Sequence, residues 1–244
     1  MSLQAFFDFG NSRVKAWLCD GNQVICRFSE AHSLSVSRIE QELPELFRQP
    51  VNILGVASVL DEDFNHQFEQ LALRVWGQKP AHVYSDAPSD KVSNGYRKPK
   101  GLGVDRWMNI LAVSEMTQCC VVSCGTALTI DLVAGKKHHG GYILPGYSLQ
   151  VNALVQGTRR VRPEALEVKS LEPGRDTDEA VHRGIIIGLV SAVEHVVRDF
   201  EVSTGQTCAV VLTGGDAEKL GAHMSVSHDI IPELMLLGLQ RYFG

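Results

Sequence analysis

Two segments of this chain share one design: an apolar run, a break at glycine, and a second run that resumes at once. The first is Asp8-Phe9-Gly10-Asn11-Ser12-Arg13-Val14-Lys15 and the second Ser123-Cys124-Gly125-Thr126-Ala127-Leu128-Thr129-Ile130-Asp131. Glycine lets the backbone turn tightly and brings successive N–H groups close to an anion, and Asn, Ser and Thr add side-chain donors at the same place. Either segment alone reads equally well as an ordinary hairpin with a polar turn. Gly10 and Gly125 stand 115 positions apart in a chain of 244 residues. The pair therefore predicts two related halves that clamp the phosphates of one nucleotide.

The periodicity around these segments repeats as well. Strands are expected near 4–9, 13–19 and 23–28, then a helix near 36–48, a buried strand 51–57, a helix 62–76 and a strand 81–84. A polar loop over 85–103 leads into a helix that starts near 105. The second half opens on three more strands, 119–123, 127–134 and 137–144. A long helix near 176–200, a strand 209–213 and helices 215–221 and 231–242 complete it. Three strands and then alternating helix and strand predict an α/β fold, each half a mixed sheet flanked by helices. The halves are expected as 1–115, with the first hairpin and the polar loop, and 116–244, with the second hairpin.

Composition narrows the partners. A net charge of −5 argues against nucleic acid or an anionic membrane. The six cysteines contain no C-x-x-C pair, and Cys119 and Cys120 sit inside an apolar run, as reduced buried thiols of a cytoplasmic protein would. The uncharged run Gly184 to Val193 is too short to span a bilayer. With a strand starting almost at once, no signal peptide is expected.

The best place for chemistry is Gly101-Leu102-Gly103-Val104-Asp105-Arg106. Asp105 in the first turn of a helix could take a proton from an alcohol, with Arg106 gripping an anionic substrate; the bland alternative is that Asp105 merely caps the helix. Asp8, at a strand end, could face a metal-bound phosphate, with Lys15 adding positive charge. The preceding Tyr96-Arg97-Lys98-Pro99-Lys100 either binds a carboxylate or is solvated surface. Gly140-Gly141 with Pro145-Gly146, and Thr213-Gly214-Gly215, read as turns or as nucleotide-pocket elements. Thr177 reads as a helix N-cap. His138 and His139, adjacent on a strand, point to opposite faces and do not share a metal.

Read in order, these motifs resemble the type III pantothenate kinases, of the acetate and sugar kinase, heat-shock ATPase and actin-like superfamily. The markers are Asp8-Phe9-Gly10-Asn11-Ser12 with Lys15; Tyr96, Pro99 and Gly103-Val104-Asp105-Arg106; Gly125-Thr126-Ala127 with Thr129 and Asp131; and, farther on, the glycine turns and Thr177 with Ala180 and Gly184. The resemblance implies two ribonuclease H-like lobes and ATP-dependent phosphorylation of pantothenate to 4'-phosphopantothenate, the first step of coenzyme A biosynthesis. It places ATP on Asp8, Phe9, Gly10, Asn11, Ser12, Arg13, Val14, Lys15 and Thr126, with Asp8 helping to hold Mg²⁺. Pantothenate would contact Tyr96, Gly103, Val104, Asp105, Arg106 and Thr177, and Asp105 would be the general base. A homodimer is implied too.

One departure stands out. The family usually carries Asp where this chain has Ser123, and that Asp helps bind a monovalent cation such as K⁺ or NH₄⁺. Serine keeps an oxygen ligand and loses the charge. Two alternatives stay open beside the kinase: a relative that has lost catalysis and serves as a regulatory or accessory protein, and another small-molecule kinase or phosphohydrolase on the same fold.

Overall fold

The computed structural model describes residues 2–31 and 35–244. Strands β1 (Leu3–Phe9), β2 (Arg13–Asp20) and β3 (Gln23–Ala31) come first, then α1 (Val36–Glu42), β4 (Ile53–Ser58), α2 (Glu62–Trp76), β5 (Ala81–His82) and α3 (Val104–Ala112). The order recurs in β6 (Gln118–Cys124), β7 (Ala127–Ala134), β8 (Lys137–Pro145), α4 (Tyr147–Gly157), α5 (Thr177–Thr204), β9 (Ala209–Thr213), α6 (Ala217–Gly221) and β10 (Asp229–Ile230), and the chain ends in α7 (Leu234–Phe243).

The predicted repeat is visible in the two sheets. One is ordered β3-β2-β1-β4-β5 and the other, taken from its opposite edge, β10-β9-β6-β7-β8. In each, the three leading strands pair antiparallel and the last two lie parallel to the central one. β1 is central and covered on both faces, so it reads LQAFFDF with almost no polar alternation. β3 lies at the edge and alternates.

The first sheet buries one face against α1 and α2. Phe7 and Phe9 meet Phe68 at ring distances of 5.0 and 4.7 Å, and Trp76 Nε1 donates to the Phe47 carbonyl at 2.7 Å. α2 spans the expected residues because both ends are capped: the Asp61 carboxylate accepts from Phe64 N–H, and Gly77 closes the helix at φ 66°. The expected helix 36–48 is interrupted by Pro44. Leu43, before the proline, is extended, and a short 3₁₀ turn, Glu45–Arg48, comes after it.

Two compact units emerge: the residues up to Ala112 together with Leu234–Gly244, and Val113–Glu233. The division expected near 115 falls three residues away, but the last eleven residues join the first unit. Gly238 seats α7 on α3 so closely that a Cβ there would collide with the Met108 carbonyl, and Phe243 stacks on Phe6 at 5.9 Å. Chain continuity suggested otherwise; the apolar face of α7 (Leu234, Met235, Leu236, Leu239) finds its cover on the opposite face of the first sheet.

The second unit buries Val122, Leu128, Ile130, Val210 and Leu212 against Ile186, Leu189 and Val193 of α5. α5 is long and apolar enough to cross a membrane by length and composition, beyond what the run 184–193 suggested. Its apolar residues form this core, which supplies a local reason for that composition.

Candidate active site

In the first unit, alternation along β1 sorts the hairpin residues. Phe7 and Phe9 point into the aromatic core, while Phe6 and Asp8 emerge on the face where α7 lies. Asp8 pairs in register with Lys15, and Phe9 with Val14. The turn closes through Gly10 N–H donating to Arg13 O at 3.0 Å. Asn11, Ser12 and Arg13 are exposed, whereas Phe9 and Val14 are buried and belong to the core. Within the segment from Asp8 to Lys15, those two have only backbone to offer a ligand.

Asp105 comes to Asp8 from α3. The carboxyl of Asp8 is pushed up to about 7, first by burial and then by the Asp105 charge, while Lys15 pulls it the other way. The two carboxylates thus lie close enough for the charge of one to act on the other. Such a pair suits a cation: Mg²⁺ is commonly held by one or two carboxylates, completed by phosphate oxygens and water. Among the described residues no group of three or more His, Cys, Asp or Glu forms a metal cage, so substrate oxygens would have to complete any such shell.

Asp105 is not the cap of α3. Gly103 stands before the helix, its carbonyl taking Trp107 N–H at 2.9 Å, and Asp105 Oδ1 accepts from Arg106 N–H at 2.8 Å. The need for glycine at 103 is steric, because a Cβ there would lie 2.5 Å from Asp105 Oδ1. Gly103→Ala is accordingly expected to displace the carboxylate and cost about 10²-fold in turnover, the usual penalty of an ångström-scale misplacement. Melting temperature should change little. Steady-state kinetics beside a thermal melt checks this, and full activity in the variant would mean that the carboxylate position is unimportant.

Arg106 is buried and its Nη1 donates to the Tyr96 hydroxyl at 2.6 Å. The loop before it is tied down: Tyr96 N–H donates to Asn94 Oδ1, whose amide donates to the carbonyls of Ser85 and Pro99. Arg97, Lys98 and Lys100 are exposed.

In the second unit the hairpin between β6 and β7 is tighter, with Gly125 N–H donating to Ala127 O at 3.1 Å and Thr126 exposed at its tip. Ser123 lies in register with Thr129 on one side and Thr213 on the other, so three hydroxyl side chains share one row and one face. Both glycine motifs, read as turns or pocket elements, converge on this hairpin. Gly146 N–H donates to Thr126 O at 2.9 Å, and a Cβ on Gly146 would collide with that backbone. Gly214, at φ 96°, leans on Cys124, whose carbonyl also accepts from Asp216 N–H at 3.0 Å.

Thr177 is corrected from cap to first helical residue. The Asp176 carboxylate accepts from Glu179 N–H at 2.8 Å and takes the cap position, which leaves Thr177 exposed beside a hollow of about 670 Å³ in the second unit. His138 is buried against Asp131 at 2.8 Å and His139 is exposed, on opposite faces as the spacing implied. Arg162 donates to the Val155 and Thr158 carbonyls at the end of α4, a helix-closing role. Sequence reasoning missed the cluster of Tyr147, His182 and Lys219, because its members are 35 or more positions apart and no local pattern links them.

A family model described as type III pantothenate kinase matches residues 6–199. Proteins named type III pantothenate kinase from Acinetobacter baumannii (strain ACICU) and Acinetobacter baylyi are 38% and 39% identical to the chain, each alignment covering 98% of it and 96% or 97% of the relative. In fold it is similar to a conserved Baf family protein of Campylobacter jejuni (TM-score 0.64, 19% identity, 97% of this chain and 96% of that one). It is also similar to component A of the (R)-2-hydroxyglutaryl-CoA dehydratase of Acidaminococcus fermentans (TM-score 0.52, 12% identity, 99% and 96%). These solved structures speak to the fold alone. Near-complete coverage by like-named relatives, together with the family match across both hairpins and Asp105, shows that the chain belongs to the type III pantothenate kinases.

Proposed function

We propose that the protein transfers the γ-phosphoryl group of ATP to the primary hydroxyl of pantothenate, producing 4'-phosphopantothenate and ADP at the entry to coenzyme A synthesis. The observation that carries this reading is the meeting of Asp8 and Asp105, a phosphate-hairpin carboxylate beside a helix-borne carboxylate that stands inside the first turn and not at the cap position. Asp105 accepts the hydroxyl proton as the oxygen forms its bond to the γ-phosphorus and the bond from phosphorus to the β-bridging oxygen breaks. Asp8 and the turn from Gly10 to Lys15 hold the phosphates of one side, and Thr126 offers its hydroxyl and N–H from the other hairpin. Bound Mg²⁺, with Asp8 as its protein ligand, would supply charge neutralisation. Tyr96, Gly103, Val104 and Arg106 surround the acceptor, with Thr177 a further contact.

The homodimer of the family is part of this proposal. Tyr142, Ile143, Leu149 and Ile187 are large apolar side chains left exposed on the second unit, and a partner would cover such a surface. A cytoplasmic location accords with six free cysteines, five of them buried.

A coupled assay of ADP release, run with and without pantothenate, tests the reading. Release that depends on pantothenate supports it. Release with another alcohol only would point to a different kinase, and none with any acceptor to an accessory protein.

Ser123 sets the expected response to monovalent cations. Its neighbours in register, Thr129 and Thr213, are neutral as well, whereas a carboxylate 4 Å from the ion would add roughly 4 kcal/mol at an effective dielectric near 20. Turnover is therefore expected to rise only weakly with KCl at fixed ionic strength, and Ser123→Asp to introduce or sharpen the response. Strong saturable activation of the unaltered protein would overturn this.

A further inference from the structure

The loop that leads into α3 carries more order than its composition suggests. From Val83 to Lys98 the chain forms no helix or strand, and so long a loop inside a compact unit is commonly a binding loop, provided that something holds it. Its base is fastened to the C-terminal helix of the same unit. Tyr84 N–H donates to the Tyr242 hydroxyl at 3.2 Å, and Lys91 Nζ donates to the Arg241 carbonyl. Arg241 Nη1 in turn donates to the Leu111 carbonyl at 3.1 Å, so the frame reaches α3 itself. What remains to be ordered is the stretch between Val92 and Pro99, which holds Tyr96.

Asn94 orders it. An amide side chain can accept through its oxygen and donate twice through its nitrogen, and here it does all three. Oδ1 takes Tyr96 N–H at 2.9 Å, while Nδ2 donates to the Ser85 carbonyl at 2.8 Å and to the Pro99 carbonyl at 3.2 Å. The buried Ser85 hydroxyl reaches the same Pro99 carbonyl at 3.0 Å. The start, the tip and the exit of the loop thus meet at one side chain. Beyond the exit come a short 3₁₀ turn, Pro99–Gly101, and then Gly103, whose bareness leaves room for the Asp105 carboxylate. At the tip, the Tyr96 hydroxyl accepts from Arg106 Nη1 at 2.6 Å, and the guanidinium carbon lies 5.5 Å from the centre of the same ring. Arg106 is 4% exposed and its guanidinium is planar, so the edge it offers a substrate is set by the groups that hold the rest of it, and Tyr96 is one of them.

We infer that Asn94 is a positioning residue for the acceptor, fixing through Tyr96 the direction in which Arg106 presents its charge to the anionic end of the substrate, a role that rests on the proposed contact of Tyr96 and Arg106 with pantothenate. Ordering a loose loop at each encounter costs affinity, and a loop already tied in its binding form keeps it.

Asn94→Ala and Tyr96→Phe, singly and together, test this by steady-state kinetics. Asn94→Ala is expected to raise the KM for pantothenate about tenfold, with kcat and the KM for ATP within about twofold and the melting temperature nearly unchanged. A residue that only stabilised the fold would lower the active fraction, and with it kcat, and leave KM where it was. Tyr96→Phe removes the hydroxyl that holds Arg106, so in that background Asn94→Ala should add less than about twofold to KM. A KM unmoved in Asn94→Ala would overturn the inference. So would a full tenfold effect added on top of Tyr96→Phe, which would mean that Asn94 acts by another route. Should Asn94→Ala fail to fold, hydrogen exchange of the unaltered protein gives the answer: a Tyr96 amide protected without any ligand supports the tether, and exchange at the rate of a free loop overturns it. That measurement needs no substrate. Absence of pantothenate turnover in the unaltered protein would therefore sink the proposed reaction while exchange still decided the tether, and turnover with KM unmoved by Asn94→Ala would sink the positioning role alone.

Discussion

Asp105→Asn is expected to leave the fold intact and to lower turnover by on the order of 10²–10⁴, the usual share of a positioned general base. The amide keeps the size and the hydrogen bond to Arg106 N–H at 2.8 Å but cannot take the hydroxyl proton. The KM for pantothenate should move far less than kcat, since the lost interaction develops in the transition state. A steady-state comparison with a thermal melt of each protein decides it. Turnover near that of the unaltered protein would reduce Asp105 to a local backbone acceptor.

Asp8→Ala is expected to collapse phosphoryl transfer to a similar degree. Several kcal/mol of charge stabilisation at about 1.4 kcal/mol per decade corresponds to a loss on the order of 10³-fold. Pantothenate binding, measured by calorimetry, should persist; joint loss of binding and folding would make Asp8 structural. A pH signature separates the two roles further. Desolvation at its half-buried strand end pushes the Asp8 carboxyl up to about 7 in the folded protein, against 3.8 ordinarily. An acid whose folded value is raised binds its proton more tightly when folded. Its contribution to stability is whole below the unfolded value and is lost as pH rises through the folded one. In the absence of nucleotide and metal, Asp8→Asn should therefore gain melting temperature over the unaltered protein at pH 8 by more than at pH 5. Equal gains at the two pH values would mean that the site does not hold a strained charge. Mg²⁺-ATP, which favours the ionised carboxylate, should bind the unaltered protein more tightly as pH rises through 7, and the dependence should flatten in Asp8→Asn.

Much of the fold is written in local order along the chain. The two hairpins, the mixed sheets and the start of α3 are set by apolar periodicity and glycine placement within windows of ten to fifteen residues, and the strands other than the two-residue β10, which no pattern announced, came out within a few residues of where that periodicity put them. Pro44 broke a helix that periodicity alone would have continued, because the steric demand of proline on Leu43 outweighs an amphipathic pattern. Asp176 took the cap that Thr177 was expected to hold, since its carboxylate reaches Glu179 N–H.

Other features needed the chain to fold first. α7 joined the first unit because Gly238 and Phe243 fit Met108 and Phe6, a complementarity of surfaces more than a hundred residues apart. Asp8 and Asp105 are separated by nearly as much, and the raised proton affinity of Asp8 exists only where burial and a second carboxylate coincide. The cluster of Tyr147, His182 and Lys219 likewise has no mark in sequence, since each residue is ordinary in its own helix. Residue type and spacing along this chain determined which groups could do chemistry and which elements would carry them. Only the tertiary structure decided which of those groups lie close enough to act on one another, because desolvation and Coulomb interaction depend on distance in space and on what surrounds a charge.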